Sequence, residues 1–119
     1  MTEAASRPWP TELRLEGAKK ALIVAFDNGQ RFTLPAEYLR VESPSAEVQG
    51  HSPSQKQIIK GKENVTITGL EPVGNYAVRI LFDDGHDTGL FSWDYLYELG
   101  RDHDAKRAAY LAAARGQHA

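Results

Sequence analysis

The chain has 119 residues, of which 41% are hydrophobic and 25% are charged, and it contains no cysteine. This length and composition are typical of one globular domain, and they exclude most multidomain enzymes, disulfide-stabilised scaffolds and metal sites built on thiolates. Lysine and arginine together number 14 against 16 acidic residues, so the net charge of -2 argues against nucleic acid as a partner.

The sequence also lacks the features of a targeting or membrane segment. Residues 1–10 contain an acidic residue and two prolines where a signal peptide needs an apolar run. No window approaches the roughly 20 apolar residues of a membrane-spanning helix. We therefore expect a cytoplasmic protein with no membrane partner.

Three strands are predicted in the first third of the chain. Residues 11–15 alternate polar and apolar side chains, whereas Ala21–Phe26 is apolar on both faces, as expected of a central strand. The Asp-Asn-Gly that follows favours a tight turn. Residues 31–34 then return antiparallel, with Phe32 and Leu34 directed to the core.

A short helix and a long loop follow. Pro35 suits the first position of a helix, so residues 35–40 predict about one and a half turns with Tyr38 and Leu39 turned inward. Residues 41–64 are rich in Ser, Pro, Gly, Gln and Lys, which predicts a loop. A loop of that length in a small domain is either functional or mobile.

The second half of the sequence predicts another antiparallel sheet. Residues 65–70 and 76–82 alternate so that several apolar side chains share one buried face. These side chains are Val65, Ile67, Val78, Ile80 and Phe82. Residues 83–86 predict a turn, and residues 88–91 predict a short paired strand.

A helix is predicted directly after this strand. Ser92 can cap its first turn, and Gly100 supplies a natural end. Trp93 and Tyr97 lie on one apolar helical stripe, which favours a place in the core. Tyr95, on another face, is the better candidate for an outside contact.

The C-terminal segment predicts a last helix over residues 104–115, with Asp102 as its cap and Lys106 spaced to pair with Asp102. Its apolar side chains are mostly alanines, so it packs loosely, extends from the domain or meets a partner. The elements do not alternate as strand, helix, strand. The predicted fold class is therefore α+β, a mainly antiparallel β-sheet module with short helices and a C-terminal helix.

Catalytic motifs are missing from the sequence. It contains no G-x-S-x-G elbow and no P-loop, and its four histidines have no recognised ligand spacing. Residues 83–87 hold three acids and one imidazole, so His86, Asp84 and Asp87 are candidate ligands of iron or another divalent metal ion. The alternative interpretation is a hairpin turn with solvated carboxylates.

Three motifs together resemble a known family. They are L-P-A-E-Y-L-R at residues 34–40, G-N-Y-A-V at residues 74–78 and D-D-G-H-D-T-G-L-F-S-W at residues 83–93. In this order they resemble the gamma-butyrobetaine hydroxylase-like N-terminal domain family, in its small stand-alone bacterial form. The resemblance divides the chain into an N-terminal lead-in (1–12), this domain (13–100) and a C-terminal helix and tail (101–119).

The resemblance implies a small β-rich module, the N-terminal part of carnitine-pathway dioxygenases. It also implies a zinc site, formed in that family by three cysteines after the L-R pair and a histidine in the D-G-H turn. Here the histidine is His86, but the cysteine positions fall on Ser43, Ser45 and Val48, so a site of that form is not available. The catalytic iron and 2-oxoglutarate domain of those enzymes is absent. Fusion of related domains to P-loop carriers of iron–sulfur assembly implies an accessory role near iron metabolism.

Two main hypotheses on function follow. The first is a non-catalytic binding module for a protein partner, with Glu37, Arg40, Trp93 and Tyr95 as contact residues beside the turn at residues 83–87. In this hypothesis Arg40 binds a carboxylate of the partner, and Tyr95 stacks or forms a hydrogen bond. The second is a protein that binds iron or another divalent ion at the histidine-containing turn. A small enzyme is the third class, and the missing catalytic motifs disfavour it.

Overall fold

Within residues 8–44 and 58–116, which the computed structural model of the protein describes, two antiparallel three-stranded sheets combine with three helices. The strands are β1 Pro10–Glu16, β2 Ala21–Phe26, β3 Arg31–Pro35, β4 Ile67–Val73, β5 Ala77–Phe82 and β6 Leu90–Ser92. The helices are α1 Ala36–Val41, α2 Trp93–Arg101 and α3 His103–Gly116. The strand orders are β1-β2-β3 and β4-β5-β6. The predicted α+β class with mainly antiparallel sheet is confirmed.

The central strand of the first sheet is β2, as its apolar sequence predicts. Leu22 and Val24 face the core and are fully buried, and Ile23 on the opposite face is also buried. In β3 the predicted alternation is confirmed, because Leu34 is buried whereas Arg31 is exposed. The sheet therefore covers the core with one face.

Strand β4 extends further than its sequence predicts, through Pro72 to Val73. A proline cannot donate a hydrogen bond within a sheet, and it is tolerated here because β4 is an edge strand. The ladder starts at Ile67, so Val65 is buried just before the strand rather than within it. Strand β6 likewise pairs with β5 over Leu90–Ser92. The predicted elements were therefore right in kind. Most of their ends agree within one residue, and the larger differences, of two or three residues, fall at both ends of β4 and at the start of β6.

One core lies between the two sheets and the first two helices. Tyr38 and Leu39 of α1 and Leu96 and Leu99 of α2 are buried in it, as are the inward side chains of β4 and β5. The Tyr38 hydroxyl also donates to the carbonyl oxygen of Leu99 at 2.7 Å. Burial raises the pKa of Tyr38, so this hydroxyl keeps its proton. A buried hydrogen bond therefore joins α1 to α2 within the core.

The turn between β1 and β2 connects the first sheet to elements outside it. Its backbone is left-handed at Ala18 (φ 59°) and Lys19 (φ 70°), a conformation that residues other than glycine adopt rarely. The amide of Ile67 donates to the Lys19 oxygen at 2.9 Å, and the amide of Ala36 donates to the Lys20 oxygen at 2.7 Å. These bonds hold the starts of β4 and α1 against the first sheet and compensate the unfavourable turn.

The C-terminal helix packs on its own domain. Tyr110 is buried, and its hydroxyl donates to the carbonyl oxygen of Ile59. Arg107 pairs with Glu37 of α1 at 3.1 Å. Ile59, in the predicted loop over residues 41–64, thus contacts α3. Residues 45–57 of that loop lie outside the described residues.

Two local predictions at the junction of α2 and α3 were wrong. Lys106 pairs with Glu98 at 3.2 Å rather than with Asp102, whose carboxylate is bound by Arg101 at 2.9 Å. Gly100 does not end α2, which continues to Arg101. Its role is close packing, because a Cβ atom at Gly100 would lie 2.2 Å from the Cγ atom of Phe32.

We expect Gly100→Ala to destabilise the protein. Alanine favours a helix by about 1 kcal/mol over glycine, but overpacking against the partly buried Phe32 ring costs about 1–3 kcal/mol. Phe32 cannot easily yield, because its ring contacts Phe26 and Tyr97 edge to face. Urea unfolding should show a lower free energy of unfolding for this variant.

The matched control is Gly69→Ala, since a Cβ atom there would meet only Leu81 Cδ2, at 4.0 Å. This control should change the free energy of unfolding by less than about 0.5 kcal/mol. Equal or greater stability of Gly100→Ala would contradict the packing role of Gly100.

Candidate functional site

The turn between β5 and β6 places His86 inside the protein. Gly85 adopts a φ of 89°, and the Phe82 amide donates to the His86 oxygen at 3.0 Å, which closes the turn. His86 is only 7% exposed, and its imidazole lies beside the Phe82 ring. Its Nε2 atom lies 2.9 Å from the hydroxyl oxygen of Ser43, which is fully buried after α1. A hydrogen bond therefore joins the end of α1 to the β5–β6 turn.

Gly89 makes room for this contact. A Cβ atom at Gly89 would lie 2.4 Å from the hydroxyl oxygen of Ser43 and 3.1 Å from the Phe91 ring. Any larger residue at position 89 would displace the serine. Gly89, the second glycine of the D-D-G-H-D-T-G motif, is therefore required for close packing. The motif itself is typical of a turn and does not predict this role.

The carboxylate of Asp84, two residues before His86, accepts three hydrogen bonds. Its Oδ2 atom accepts from Arg40 Nε and from Lys62 Nζ, both at 2.8 Å, and its Oδ1 atom accepts from the His86 amide at 3.1 Å. Burial alone would raise the pKa of Asp84, but the bonds from Lys62, the His86 amide and Arg40 hold it well below its usual value. We call Arg40, Ser43, Lys62, Asp84 and His86 the polar clasp.

Two of the predicted partner-binding residues form ion pairs within the chain. Glu37 pairs with Arg107, and its side chain is 16% exposed. Arg40 pairs with Asp84, so the carboxylate that it binds here belongs to the chain itself. These pairs join α1 to α3 and to the β5–β6 turn. Binding of a partner by Glu37 or Arg40 stays a prediction.

Tyr95, the third of these residues, lies against the end of α1. Its hydroxyl donates to the carbonyl oxygen of Glu42 at 2.6 Å, and its amide is capped by the Ser92 side chain. Burial, followed by the nearby Glu42 carboxylate, raises the pKa of Tyr95. The structure thus places Tyr95 next to the end of α1, with its hydroxyl bonded inside the chain. Its contact with a partner stays a prediction.

The metal site predicted at His86, Asp84 and Asp87 is not supported. No group of three or more metal-ligating side chains occurs among the described residues. The Asp84 carboxylate is already bound by two cations, and the Asp87 residue is exposed. A metal cation carries the same sign of charge as Arg40 and Lys62. It could bind the Asp84 carboxylate only by displacing them.

The zinc site implied by the family also does not fit this chain. Zinc needs thiolate, imidazole or carboxylate ligands, and the sequence contains no cysteine. Ser43 offers a hydroxyl that is hydrogen-bonded to His86. The other two positions, Ser45 and Val48, lie outside the described residues, as do His51 and His118.

A second feature lies where the chain enters β1 and where α2 begins. The Trp9 and Trp93 rings meet edge to face, with centroids 6.4 Å apart and planes at 69°. The Trp93 indole donates to the Asn75 oxygen at 2.9 Å, and its amide donates to the Tyr76 oxygen at 3.1 Å. Trp9 is 50% exposed and Tyr76 is 55% exposed. We call Trp9, Tyr76 and Trp93 the aromatic corner.

Asp27 fixes the position of Trp9. The Trp9 amide donates to Asp27 Oδ1 at 3.1 Å, and the Asp27 amide donates to the Trp9 oxygen at 2.8 Å. Sequence patterns indicate Trp93 as a contact residue but give no signal for Trp9, Tyr76 and the clasp residue Lys62. Since these residues are far apart in sequence and lie in turns and lead-in segments, only the fold brings them to their sites.

None of the helices within the described parts of the chain is long and apolar enough to cross a membrane.

Comparisons with known proteins identify the family. A family model described as gamma-butyrobetaine hydroxylase-like, N-terminal, matches residues 13–97. The chain belongs to this family, which confirms the resemblance found in its motifs. No curated protein matches the chain.

Several solved structures are similar to this chain over most of its length. One NMR solution structure is 48% identical, with a TM-score of 0.82, over 100% of this chain and 89% of the other. A second NMR structure is 47% identical, with a TM-score of 0.79, over 93% and 87% of the two chains. A crystal structure of a DUF971 family protein of unknown function from Acidithiobacillus ferrooxidans is 40% identical, with a TM-score of 0.64, over 76% and 91%.

We expect Asp84→Asn to lower the free energy of unfolding at neutral pH by about 1–3 kcal/mol. Arg40 and Lys62, whose side chains are 12% and 26% exposed, would lose their common carboxylate. Because the folded-state pKa of Asp84 lies below its unfolded-state value, the stabilisation is complete above about pH 4 and is lost as the pH falls further.

The difference between wild type and Asp84→Asn, measured by urea unfolding, should therefore shrink between neutral pH and about pH 3. The exposed neighbour Asp87, changed to Asn, serves as the control and should alter stability by less than about 0.5 kcal/mol. A difference that does not vary with pH would contradict the ionic role of Asp84.

We expect Ser43→Ala to destabilise the protein by about 1–3 kcal/mol, because the buried His86 imidazole loses the Ser43 hydroxyl. A double-mutant cycle with His86→Ala should give a coupling energy of about 0.5 kcal/mol or more.

Excess EDTA should leave the wild-type unfolding midpoint unchanged. A lower midpoint in EDTA, or no coupling between the two residues, would contradict a clasp held by hydrogen bonds.

Proposed function

We propose that the protein is a non-catalytic cytoplasmic binding module that recognises a protein partner through its aromatic corner. The observation that carries this proposal is the exposure of Trp9 and Tyr76 beside Trp93. Large apolar side chains are usually buried, and exposed aromatic residues are enriched where proteins bind other proteins.

The corner offers substantial binding energy on a prepared surface. An aromatic side chain can bury about 150–250 Å², so covering the half-exposed Trp9 ring would contribute about 2–3 kcal/mol. Trp93 is held by its bonds to Asn75 and Tyr76, and Trp9 is held by Asp27. A partner therefore meets rings whose positions are already set, which lowers the entropy lost on binding.

The polar clasp supports this function by holding the fold rather than by catalysis. Its charged and polar groups bind one another across the end of α1 and the β5–β6 turn. Of the four contact residues predicted from sequence, Trp93 belongs to the proposed surface, while Tyr95, Arg40 and Glu37 form bonds inside the chain. A link to iron or iron–sulfur metabolism stays a prediction from the family resemblance.

Affinity purification from the native cell tests the proposal. Full-length wild type, Trp9→Ala and Tyr76→Ala serve as baits, and Leu111→Ala, which changes a side chain 40% exposed on α3, is the matched control. We expect a protein retained by wild type and by Leu111→Ala to be lost or strongly reduced with Trp9→Ala and Tyr76→Ala. If every retained protein is insensitive to both corner variants, or if none is retained, the proposed surface is wrong.

A further inference from the structure

The aromatic corner presents two indole faces at a large angle. The Trp9 and Trp93 planes meet at 69° in an edge-to-face contact, and the half-exposed Trp9 leaves part of its indole open to solvent. The face of an indole ring carries partial negative charge and attracts cations more strongly than the other aromatic side chains do. The exposed part of the Trp9 indole is therefore suited to a cation that stacks on it from solvent.

Carboxylates adjoin the same site. Asp27 is exposed, and its carboxylate accepts from the Trp9 amide at 3.1 Å, so its charge lies beside the backbone of Trp9. Asp94, also exposed, follows Trp93 in the first turn of α2. Negative side chains beside electron-rich rings favour a positively charged ligand and disfavour an acidic one.

We infer that the aromatic corner binds an exposed arginine side chain of the partner protein. This inference rests on the proposed function and names the chemistry that the surface recognises. A guanidinium is planar and weakly hydrated, so it can stack on an indole and also donate hydrogen bonds to a carboxylate such as Asp27. An ammonium is a compact and strongly hydrated charge, so lysine binds the same site more weakly.

Intrinsic fluorescence tests the inference directly, because both tryptophans of the chain lie in the corner. The probe is an acetylated and amidated Gly-Gly-Arg-Gly-Gly peptide, titrated into the full chain at low salt. Matched peptides carry citrulline, which is neutral and nearly isosteric, or lysine. We expect a saturable change in emission with the arginine peptide, a weaker one with lysine and none with citrulline, and the affinity should fall as salt is added.

Variants locate the site. Asp27→Asn keeps an oxygen that can accept from the Trp9 amide but removes the charge, and it should weaken arginine binding about 2- to 5-fold. Trp9→Ala, followed by the emission of Trp93, should weaken it about 3- to 30-fold. The control Asp104→Asn makes the same change in net charge at a fully exposed position on α3 and should have no effect.

The outcomes separate this inference from the proposed function. An absence of saturable binding, an equal response to citrulline, or equal weakening by Asp104→Asn and Asp27→Asn would overturn arginine recognition. If the arginine peptide fails in one of these ways but a cellular partner is still lost with Trp9→Ala, the protein-binding function stands. The group that the corner recognises on that partner is then not a cation. If the arginine peptide binds as expected but no partner depends on Trp9, the ligand chemistry stands and the protein-binding function fails.

Discussion

The fold depends on a core that two small sheets must share. Each sheet has three strands, and a sheet of that size with one apolar face is barely stable alone. Here β2 and β5 turn fully buried side chains such as Leu22 and Ile80 toward one cluster, which α1 and α2 complete. Because the same core fixes both helices, the turns and helix ends around it acquire defined positions. Both the polar clasp and the aromatic corner are built from such turns and ends.

The clasp joins distant segments of the chain by ordinary hydrogen bonds and ion pairs. Ser43 reaches His86 only because residue 89 is a glycine, and Asp84 balances two cations that would otherwise be poorly paired. A partly buried polar network of this kind is stable only while its members remain paired. The clasp therefore links the end of α1 to the β5–β6 turn without thiolates.

Much of the fold can be predicted because β-strands and amphipathic helices leave periodic patterns in the sequence. The apolar run of β2 and the alternation of β3 predicted their faces, and the D-D-G-H motif predicted the β5–β6 turn. Tertiary contacts cannot be read in this way. Gly100 was expected to end α2 because glycine often does so, but the nearby Phe32 ring gives it another role. Lys62 and Trp9 had no local signal, since each acquires its neighbours only when distant segments meet.

Native-state hydrogen exchange of the full chain in EDTA tests the shared core most directly. We expect the slowest amides of β2 and β5 to exchange through one global unfolding, with equal free energies and equal dependence on denaturant. Such agreement would show that both sheets open together without a metal ion. If the amides of β5 exchange through a separate opening of lower free energy while β2 stays protected, the two sheets do not share one cooperative core and the account is contradicted.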